Sequence, residues 1–533
     1  MTTRRASMLL ALPAAVLGIA FFAWPMASII ATGIGADPGR VVDILGRGTT
    51  LSTVWFTLWQ AAASTALTLL VGIPAAYAFA RFRFPGRRLA RIVVTIPFVL
   101  PTVVVAIAFL ALMGPGGALG FDLAGTVWAI LGAHVFFNLA VVIRTVGSLW
   151  SHLDPRLEEA AASLGATPWT VFRTITLPLL RPAIAAAAAI VFLFSFTSFG
   201  VVLLLGAPRL ATIEVEIYRS AALVFDLPAA AILALIQVVG VTAGLLVYAR
   251  YQERSGIGQH LLPAAATARR PVGRQRWLVG AAVGTALTIA LVPIGMIMWR
   301  VLTAGGGLGL GSLRALGAVD PSVVDVPAAI GNSLRFAAVA CALTVMVALP
   351  AAVVIASRRS PMGRWIDTLL MLPIGSSAVT LGFGFVVGLD APVDLRAWWG
   401  LVPIAHTLIA MPFVVRSTVP VIRSIGPRVR EAAAVLGAGP GRVWRTIDFP
   451  MLTPAAAGAT ALAFVISLGE FGATLFVARP GGKTMTLAIF GLFGRPGATN
   501  LSAAFALSLL LVVITGAVVA LLERMRVPGV GNF

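Results

Sequence analysis

Glu470 is the one carboxylate that lies well inside an apolar stretch of this sequence, between Gly469 and Phe471. An acid without a partner is costly to bury in an apolar medium, so such a residue is a functional candidate by default. It could contact a cationic ligand, pair with an arginine, accept hydrogen bonds from backbone amides where a helix is broken, or act as a gate. The residue alone does not identify the charge of a ligand, and these alternatives remain open.

Aromatic rings accompany this position. Phe471 follows Glu470, and Ser198 and Phe199 occupy the matching place in an internal repeat, where the acid is absent. Aromatic faces can stack on a flat ring or hold an organic cation, although rings at such positions more often pack one helix against another. We therefore take Glu470, Phe471, Ser198 and Phe199 as candidates for contact with a ligand.

The sequence offers no catalytic or metal-binding constellation. Gly482-Lys483-Thr484 looks like the end of a phosphate-binding loop, but Val477 stands where that loop needs a glycine. The single cysteine, Cys341, supports neither a disulfide nor a metal cluster. The histidines lack metal-ligand spacing and are His134, His152, His260 and His406. We predict that the chain binds no metal and hydrolyses nothing by itself.

A polar segment is present twice in this apolar chain. Residues 155–182 and 427–454 align without a gap at an offset of 272, with 17 of 28 positions identical. Three prolines outside the segment also repeat, at an offset of 276: Pro74, Pro85 and Pro97 match Pro350, Pro361 and Pro373. Internal repeats define an architecture, and in membrane proteins they usually form two matched halves around a shared path.

Composition places the chain in a bilayer. It is 59% hydrophobic and 11% charged, with a mean hydropathy of +0.99, whereas soluble domains have about 25% charged residues. We predict an all-α membrane protein with about twelve transmembrane helices, six per half. The expected spans lie near 8–33, 52–80, 92–113, 124–148, 183–206 and 228–249, and near 278–302, 331–356, 366–389, 400–420, 455–477 and 502–522. The predicted units are a first repeat at 1–251, a cytoplasmic linker at 252–276 and a second repeat at 277–533.

The net charge of +20 does not indicate nucleic-acid binding, because the arginines fall in alternate loops instead of on one soluble face. The positive-inside rule makes these loops, both repeated segments and both termini cytoplasmic. The opposite loops are expected to contain Glu214, Asp320 and Asp394, among other acids. The run after Arg4 and Arg5 is too long for a signal core and predicts an uncleaved first helix.

The repeated segment predicts two short surface helices. Asp154-Pro155 is a good helix start, Gly165 ends that helix, and Thr167-Pro168 starts the next one. We expect Pro178 and Pro182 to end the second helix ahead of the next membrane span. Polar ends with an apolar face are what a docking element needs.

At these residues the chain resembles the membrane subunits of ABC importers, whose signature loop reads E-A-A-x-x-x-G. The matching positions are Glu159, Ala160, Ala161 and Gly165, and again Glu431, Ala432, Ala433 and Gly437. In that family the loop forms a coupling helix that seats in a cleft of a separate ATPase. The resemblance therefore implies an ATPase-coupling role for both copies. The alternative is an interfacial helical hairpin without a partner.

Both repeats are fused in one chain, which resembles the thiamine and ferric-iron permeases. The stretch 195–237 looks like the thiamine-permease pattern, so thiamine or its phosphate esters are the expected cargo, with ferric iron as the alternative. The resemblance further implies an inner-membrane location, two copies of the ATPase, an extracytoplasmic substrate-binding protein, and no cofactor on this chain, with ATP and Mg held by the ATPase. Glu470, Phe199, Phe471 and Ser198 are then candidates for the translocation path.

Two other classes compete with this interpretation. A secondary transporter driven by an ion gradient can also have two six-helix halves, but it would need several intramembrane ionisable groups as a relay. A membrane-bound enzyme would need a catalytic constellation at one membrane face. In the sequence only Glu470 stands out inside an apolar span, which favours the importer.

Overall fold

The computed structural model describes residues 2–35, 37–254, 267–303, 309, 311–356, 361–391, 393–425 and 427–525. Within these ranges the chain is helical, and its extended pairing is limited to two isolated bridges, Phe82 with Arg269 and Gly125 with Gly206. The predicted all-α membrane fold is confirmed. The predicted division at 251 and 277 stays a prediction, and 255–266 of the proposed linker lie outside the described residues.

The first half contains thirteen α-helices, with π-helical turns at Ile19–Ala23, Phe172–Thr176 and Arg219–Val224. The α-helices are α1 (Thr2–Gly18), α2 (Trp24–Ile34), α3 (Pro38–Gly46), α4 (Gly48–Arg81), α5 (Arg87–Val99), α6 (Thr102–Met113), α7 (Val127–Trp150), α8 (Arg156–Ser163), α9 (Pro168–Val171), α10 (Leu177–Phe196), α11 (Gly200–Leu205), α12 (Ile213–Tyr218) and α13 (Leu227–Arg254).

The described part of the second half repeats this order. Its helices are α14 (Arg274–Thr303), α15 (Gly311–Ala318), α16 (Val326–Ala356), α17 (Pro361–Met371), α18 (Ala378–Gly388), α19 (Leu401–Ser424), α20 (Pro427–Val435), α21 (Pro440–Val443), α22 (Phe449–Gly469), α23 (Gly472–Val477), α24 (Met485–Phe493) and α25 (Ala498–Met525). A π-helical turn lies at Trp444–Asp448, and 3-10 turns lie at Leu372–Gly375 and Pro480–Gly482.

Ten helical segments of the described chain are long and apolar enough to cross a membrane, or eleven if the bent pair α5 and α6 counts as one span. The third predicted span of each half is divided. The helix axis bends by 105° between α5 and α6. Helix α17 is separated from α18 by the Leu372–Gly375 turn. The first break contains Pro101 and the second contains Pro373, which are not equivalent positions of the repeat. Proline both lacks an amide donor and clashes with the preceding turn.

The fifth predicted span of each half is shifted and broken. Helices α9 and α10 run on through the intervening π-helical turn as one span from Pro168 to Phe196. The expectation that Pro178 and Pro182 end a surface helix is therefore wrong. Both prolines lie in α10, and Pro178 is in its first turn, next to the π-helical turn, where a missing amide costs little.

The two halves interleave. In each half, one three-helix bundle forms the centre, α4 with α7 and α10, and α16 with α19 and α22. The first helix of each half leaves this bundle, because α1 packs on α16 and α17, and α14 packs on α4, α5 and α6. Each half therefore contributes a helix to the outer surface of the other, and the broken fifth spans meet at the centre.

Candidate functional site

Each repeated segment forms a short helix and a glycine turn, as the sequence predicts, but its second helix continues into the fifth span instead of ending at the surface. Gly165 has φ +85° and Gly437 has φ +81°, a left-handed conformation that side chains with a Cβ rarely adopt. Thr167 caps the following helix by accepting a hydrogen bond from the Thr170 amide at 3.3 Å. Glycine in the E-A-A-x-x-x-G pattern is thus needed to turn the chain between two helices.

The tips of these segments are unusually exposed for apolar side chains. Leu164 is 89% exposed and Trp169 is 68% exposed in the first copy, while Val435 and Leu436 are 88% and 87% exposed in the second. The signature residues lie on the same surface: Glu159, Ala160, Gly165, Glu431, Ala432 and Gly437 are exposed, and Ala161 and Ala433 are half-buried. Two equivalent apolar tips with a charged edge are available to a partner.

The first segment is anchored to the membrane bundle by a buried arginine. Arg81, at the end of α4, donates to Glu158 of α8 at 3.0 Å and to the Leu153 carbonyl at 3.0 Å. Thr176 also donates to Glu158, at 2.9 Å. These hydrogen bonds connect α8 directly to α4 and to the π-helical turn before α10.

In the second segment a hydrogen bond also joins the short helix to the start of the fifth span, but its donor and acceptor sides are exchanged. Arg430 of α20 donates to Asp448 at 2.8 Å. Arg430 and Asp448 stand at the positions that match Glu158 and Thr176, at the same offset of 272. Both halves thus tie the short helix to the base of the fifth span, although the donor and acceptor have changed places.

At the centre of the molecule, Phe199 and Phe471 stack on each other. These equivalent residues of the two halves have ring centroids 5.5 Å apart and an interplanar angle of 23°. Tyr218 contacts Phe199 at 5.7 Å, and its counterpart Phe490 contacts Phe471 at 5.4 Å. The four rings form a row across the interface between the halves. Since Phe199 and Phe471 are both buried, this row closes the interface at the level of the broken fifth spans.

Glu470 caps a broken helix. Its carboxylate accepts hydrogen bonds from the amides of Ala473 and Thr474, at 2.8 and 2.9 Å, and from the Thr474 hydroxyl. His406 Nε2 lies 3.3 Å from the same carboxylate. Of the alternatives left open by the sequence, backbone amides at a break in a helix are the partners found here. A contact between Glu470 and cargo stays a prediction.

Histidines occupy equivalent places beside both breaks. His406 lies within hydrogen-bonding distance of Ser467 Oγ (2.6 Å) and Thr474 Oγ1 (2.9 Å). His134 lies 2.8 Å from Ser198 Oγ and 2.9 Å from Ser64 Oγ. The two histidines are separated by the repeat offset of 272, which indicates equivalent positions in the two halves and is not a metal-ligand spacing. Among the described residues no group of three or more potential ligands could hold a metal ion.

Glu214 is the residue that the sequence analysis misplaced. It was expected in a loop, but it is fully buried. Its carboxylate accepts hydrogen bonds from Gln237 Nε2 and from Ser377 Oγ of the other half, both at 2.8 Å. Glu214 and Glu216 are two residues apart and so point to opposite faces of α12. That pattern, within the apolar run around Ile213, could have indicated one buried and one exposed acid.

Hydroxyl groups from the central bundle hold the short helices α12 and α24. Thr57 accepts from the Ile213 amide at 3.0 Å, and Ser333 accepts from the Met485 amide at 2.7 Å. Thr57 and Ser333 match at the offset of 276. Because these amides lie at helix N-termini, they would lack partners without the hydroxyls. The helices that carry Tyr218 and Phe490 are thus fixed at their N-termini by equivalent bonds.

A family profile matches both halves of the chain. The profile described as "Binding-protein-dependent transport system inner membrane component" matches residues 68–255 and again residues 348–527. The two matches cover both repeated segments and both broken fifth spans.

Several characterised proteins are similar to the chain. The thiamine transport system permease protein ThiP of Brucella abortus (strain 2308) is 29% identical over 485 residues, covering 88% of this chain and 86% of that protein. ThiP of Escherichia coli (strain K12) is 28% identical over 462 residues, with 83% of each covered. The molybdenum transport system permease protein ModB of Mycobacterium bovis is 36% identical over 200 residues, or 35% of this chain and 75% of that protein.

Solved structures are also similar to part of the chain. A bacterial alginate ABC transporter, in complex with an alginate pentasaccharide-bound periplasmic protein, contains a chain that is 20% identical, with a TM-score of 0.42. The likeness covers 48% of this chain and 97% of that chain.

Proposed function

Because this chain belongs to the family of binding-protein-dependent transport system inner membrane components, we propose that it is the permease for thiamine or its phosphate esters in an ABC importer. As a multi-pass membrane protein and a transport subunit, it supplies the path, while a separate ATPase supplies the energy. The observation that carries the choice of cargo is the similarity to thiamine permeases along 88% of the chain.

The central aromatic row supports an aromatic cargo. Thiamine has a pyrimidine ring and a cationic thiazolium, and both can stack on aromatic faces once the row opens. Phe199 and Phe471 already contact each other as stacked rings, so a flat ring could replace either partner. In this proposal Phe199 and Phe471 line the path, and Ser198 and Glu470 set the geometry of the helix breaks beside it.

The repeated segments support coupling to two ATPase subunits. Each segment presents an exposed apolar tip beside Glu159 or Glu431, and each is tied to a membrane helix through Glu158 or Arg430. Closure of an ATPase pair around both tips would then rock the two halves. ATP and Mg would be held by that partner, and a binding protein would deliver cargo on the opposite side. With the segments cytoplasmic, both termini are cytoplasmic too.

The proposal is tested by uptake of labelled thiamine in a thiamine auxotroph. Cells carry the gene together with its ATPase and binding protein, or lack one of the three. We expect uptake only with all three, and we expect competition by thiamine phosphates. Restored growth on ferric iron, or uptake of molybdate, without thiamine uptake would move the cargo to that ion and keep the importer assignment.

A second arm of the experiment tests the importer class itself. The purified chain is placed in vesicles with a proton or sodium gradient and without ATPase. We expect no uptake, because the described spans contain few ionisable groups. Those at the centre are engaged in hydrogen bonds and are Glu214, Glu470, His134 and His406. Gradient-driven uptake by this chain alone would instead indicate a secondary transporter.

A further inference from the structure

Glu214 is a buried acid whose partners are neutral. Its side chain is fully buried, and its carboxylate accepts hydrogen bonds from Gln237 Nε2 and Ser377 Oγ, both at 2.8 Å. Neither of these partners, which are the ones found in the described part of the chain, carries a charge. A carboxylate can accept about four hydrogen bonds, and a buried negative charge is costly unless a cation lies near it. The position therefore suits a positively charged ligand.

The oxygen of the Gln237 amide is a second acceptor at this place. Since Gln237 Nε2 donates to Glu214, Oε1 is left to another group, and it is buried without a hydrogen-bond partner among the described residues. Buried amide oxygens normally have a donor. One carboxylate with one amide oxygen falls short of the four or more ligands that protein metal sites commonly have. The pair fits an organic cation that also carries N–H groups.

Glu214 faces the interface between the two halves. It lies one helical turn before Tyr218 of the aromatic row, and residues four positions apart share one face of a helix. The Tyr218 ring centroid lies 5.7 Å from that of Phe199 and 5.9 Å from that of Phe476 in the other half. Ser377 also belongs to the other half. One face of α12 therefore carries both the acid and a ring of the proposed path.

Separation of the halves would free one side of the carboxylate. Helix α12 is tied to the first half, because the Ile213 amide donates to Thr57 at 3.0 Å and Gln237 lies on α13. The bond to Ser377, in contrast, crosses to the second half, where Ser377 caps α18. Rocking of the halves would break this bond and keep the bond to Gln237. Glu470 differs, because its amide donors lie in its own half.

We propose that Glu214 is the counter-charge for an organic cation in the path, the thiazolium in the case of thiamine. Ser377 occupies the carboxylate while the halves are closed, and the cation of the cargo replaces Ser377 when they open. Gln237 holds the carboxylate in both states and offers Oε1 to an N–H group of the cargo, while Tyr218 supplies an aromatic face. This role of Glu214 rests on the proposed function, because a cationic cargo needs an acid along its path.

The test measures uptake of labelled thiamine by proteoliposomes that contain the full chain, its ATPase and the loaded binding protein. Glu214→Gln removes the charge and keeps the size, so uptake per folded protein should fall by about tenfold or more. Glu214→Asp keeps the charge and should retain more uptake than Glu214→Gln. Glu216→Gln is the matched control, because that acid lies on the opposite face of α12 beside Arg219, and its uptake should be unchanged.

Ser377→Ala separates this role from simple joining of the halves, since it removes the bond between them and keeps the acid. Its uptake should fall less than that of Glu214→Gln. A neutral deaza analogue of thiamine, in which carbon replaces the charged thiazolium nitrogen, should enter equally with wild type and Glu214→Gln. Equal losses for Ser377→Ala and Glu214→Gln, for the Asp and Gln variants, or for thiamine and the analogue would overturn the role of Glu214 alone. Absence of thiamine uptake by the wild-type chain would instead contradict the proposed cargo, and this role with it.

Discussion

The two halves agree at their repeated segments and differ at their centres. Gly165 and Gly437 make the same left-handed turn, and each turn adjoins an exposed apolar tip. At the broken fifth spans, however, Ser198 of the first half stands where the second half has Glu470, and Glu214 stands where the second half has Thr486. The halves therefore keep one surface in common, whereas the buried acids at their centres lie at different positions and make different hydrogen bonds.

This difference separates two kinds of constraint. A pair of identical partner subunits would bind both repeated segments alike, so both must keep the same turn. In the proposed importer, cargo would contact different residues of the two halves and would impose no such symmetry. The polar exchange between Glu158 and Arg430 fits this view, because it preserves the link between helices while the residues change.

The largest effect is expected from opening the aromatic row. Phe199→Ala and Phe471→Ala should each cost about 3–5 kcal/mol of stability, as for other buried Phe→Ala changes. Equivalent positions should lose similar amounts, and the double variant should show a coupling of about 1 kcal/mol, because the rings stack. Thermal unfolding of the detergent-solubilised protein measures all three variants.

A control cycle combines Phe471→Ala with Phe79→Ala, a buried ring in a different cluster. These two changes should be additive. If the coupling energy of this control pair equalled that of Phe199 and Phe471, the coupling of the central pair would reflect a general loss of packing and not the stacked contact.

The second effect concerns the turns. Gly165→Val with Gly437→Val places β-branched residues at positive φ, at a cost of at least about 1–2 kcal/mol for each site. Uptake should be lost while the protein still reaches the membrane. Gly439→Val is the matched control, since Gly439 lies in the same segment without a positive φ and with open space around its Cβ. Normal uptake in the double variant would argue against the coupling role.

The third effect compares the two helix breaks. Glu470→Gln replaces one acceptor oxygen by a donor that faces the Thr474 amide or hydroxyl, so we expect a loss of about 1–3 kcal/mol and reduced uptake with ATPase binding intact. Ser198→Ala removes a single contact with His134 and should cost about 1 kcal/mol. Equal losses in thermal unfolding would mean that the second half does not depend on its carboxylate.

A fourth effect tests the exchanged pair. Glu158→Arg should destabilise the first segment by about 1–3 kcal/mol, because it removes an acceptor of the buried Arg81 and places a second arginine against it. Adding Thr176→Asp recreates the arrangement of Arg430 with Asp448 and should restore part of the loss. Hydrogen exchange of the α8 amides is the readout. If the double variant recovered no protection from exchange, Arg81 alone would determine that an acid is required at position 158.

The smallest effect is expected in the loops after the third spans. Arg396 donates to Asp394 at 2.9 Å and holds the pKa of that carboxyl down to about 2. Because the folded pKa of Asp394 lies below its ordinary value, the ion pair with Arg396 stabilises the folded loop above about pH 4. This stabilisation is lost as the pH falls through about 2. Asp122, at the matching place, accepts from the Ala124 amide. Asp394→Asn should therefore alter loop exchange at pH 5 more than Asp122→Asn, and a similar response of both would contradict this.

Local features were predictable where local rules decide them. The turn at Gly165 and the cap at Thr167 follow from residue types that favour those conformations. The prediction that a helix ends at Pro178 was wrong, because the π-helical turn before Pro178 lets the helix continue. The prediction that Glu214 lies in an exposed loop was wrong for another reason. Whether an acid in a short apolar run is exposed depends on the residues that pack over it, and Ser377 and Gln237 cover Glu214 here.

The sequence by itself determined the class, the duplication and the helix–turn–helix start of the two repeated segments, because hydropathy, repetition and turn-forming residues are local properties of the chain. Only the tertiary structure decided that Phe199 stacks on Phe471, that Glu470 caps a helix, and that Glu214 bridges the halves. These contacts join residues more than 100 positions apart or depend on where a helix breaks. They form only when both halves have packed together, which no local pattern specifies.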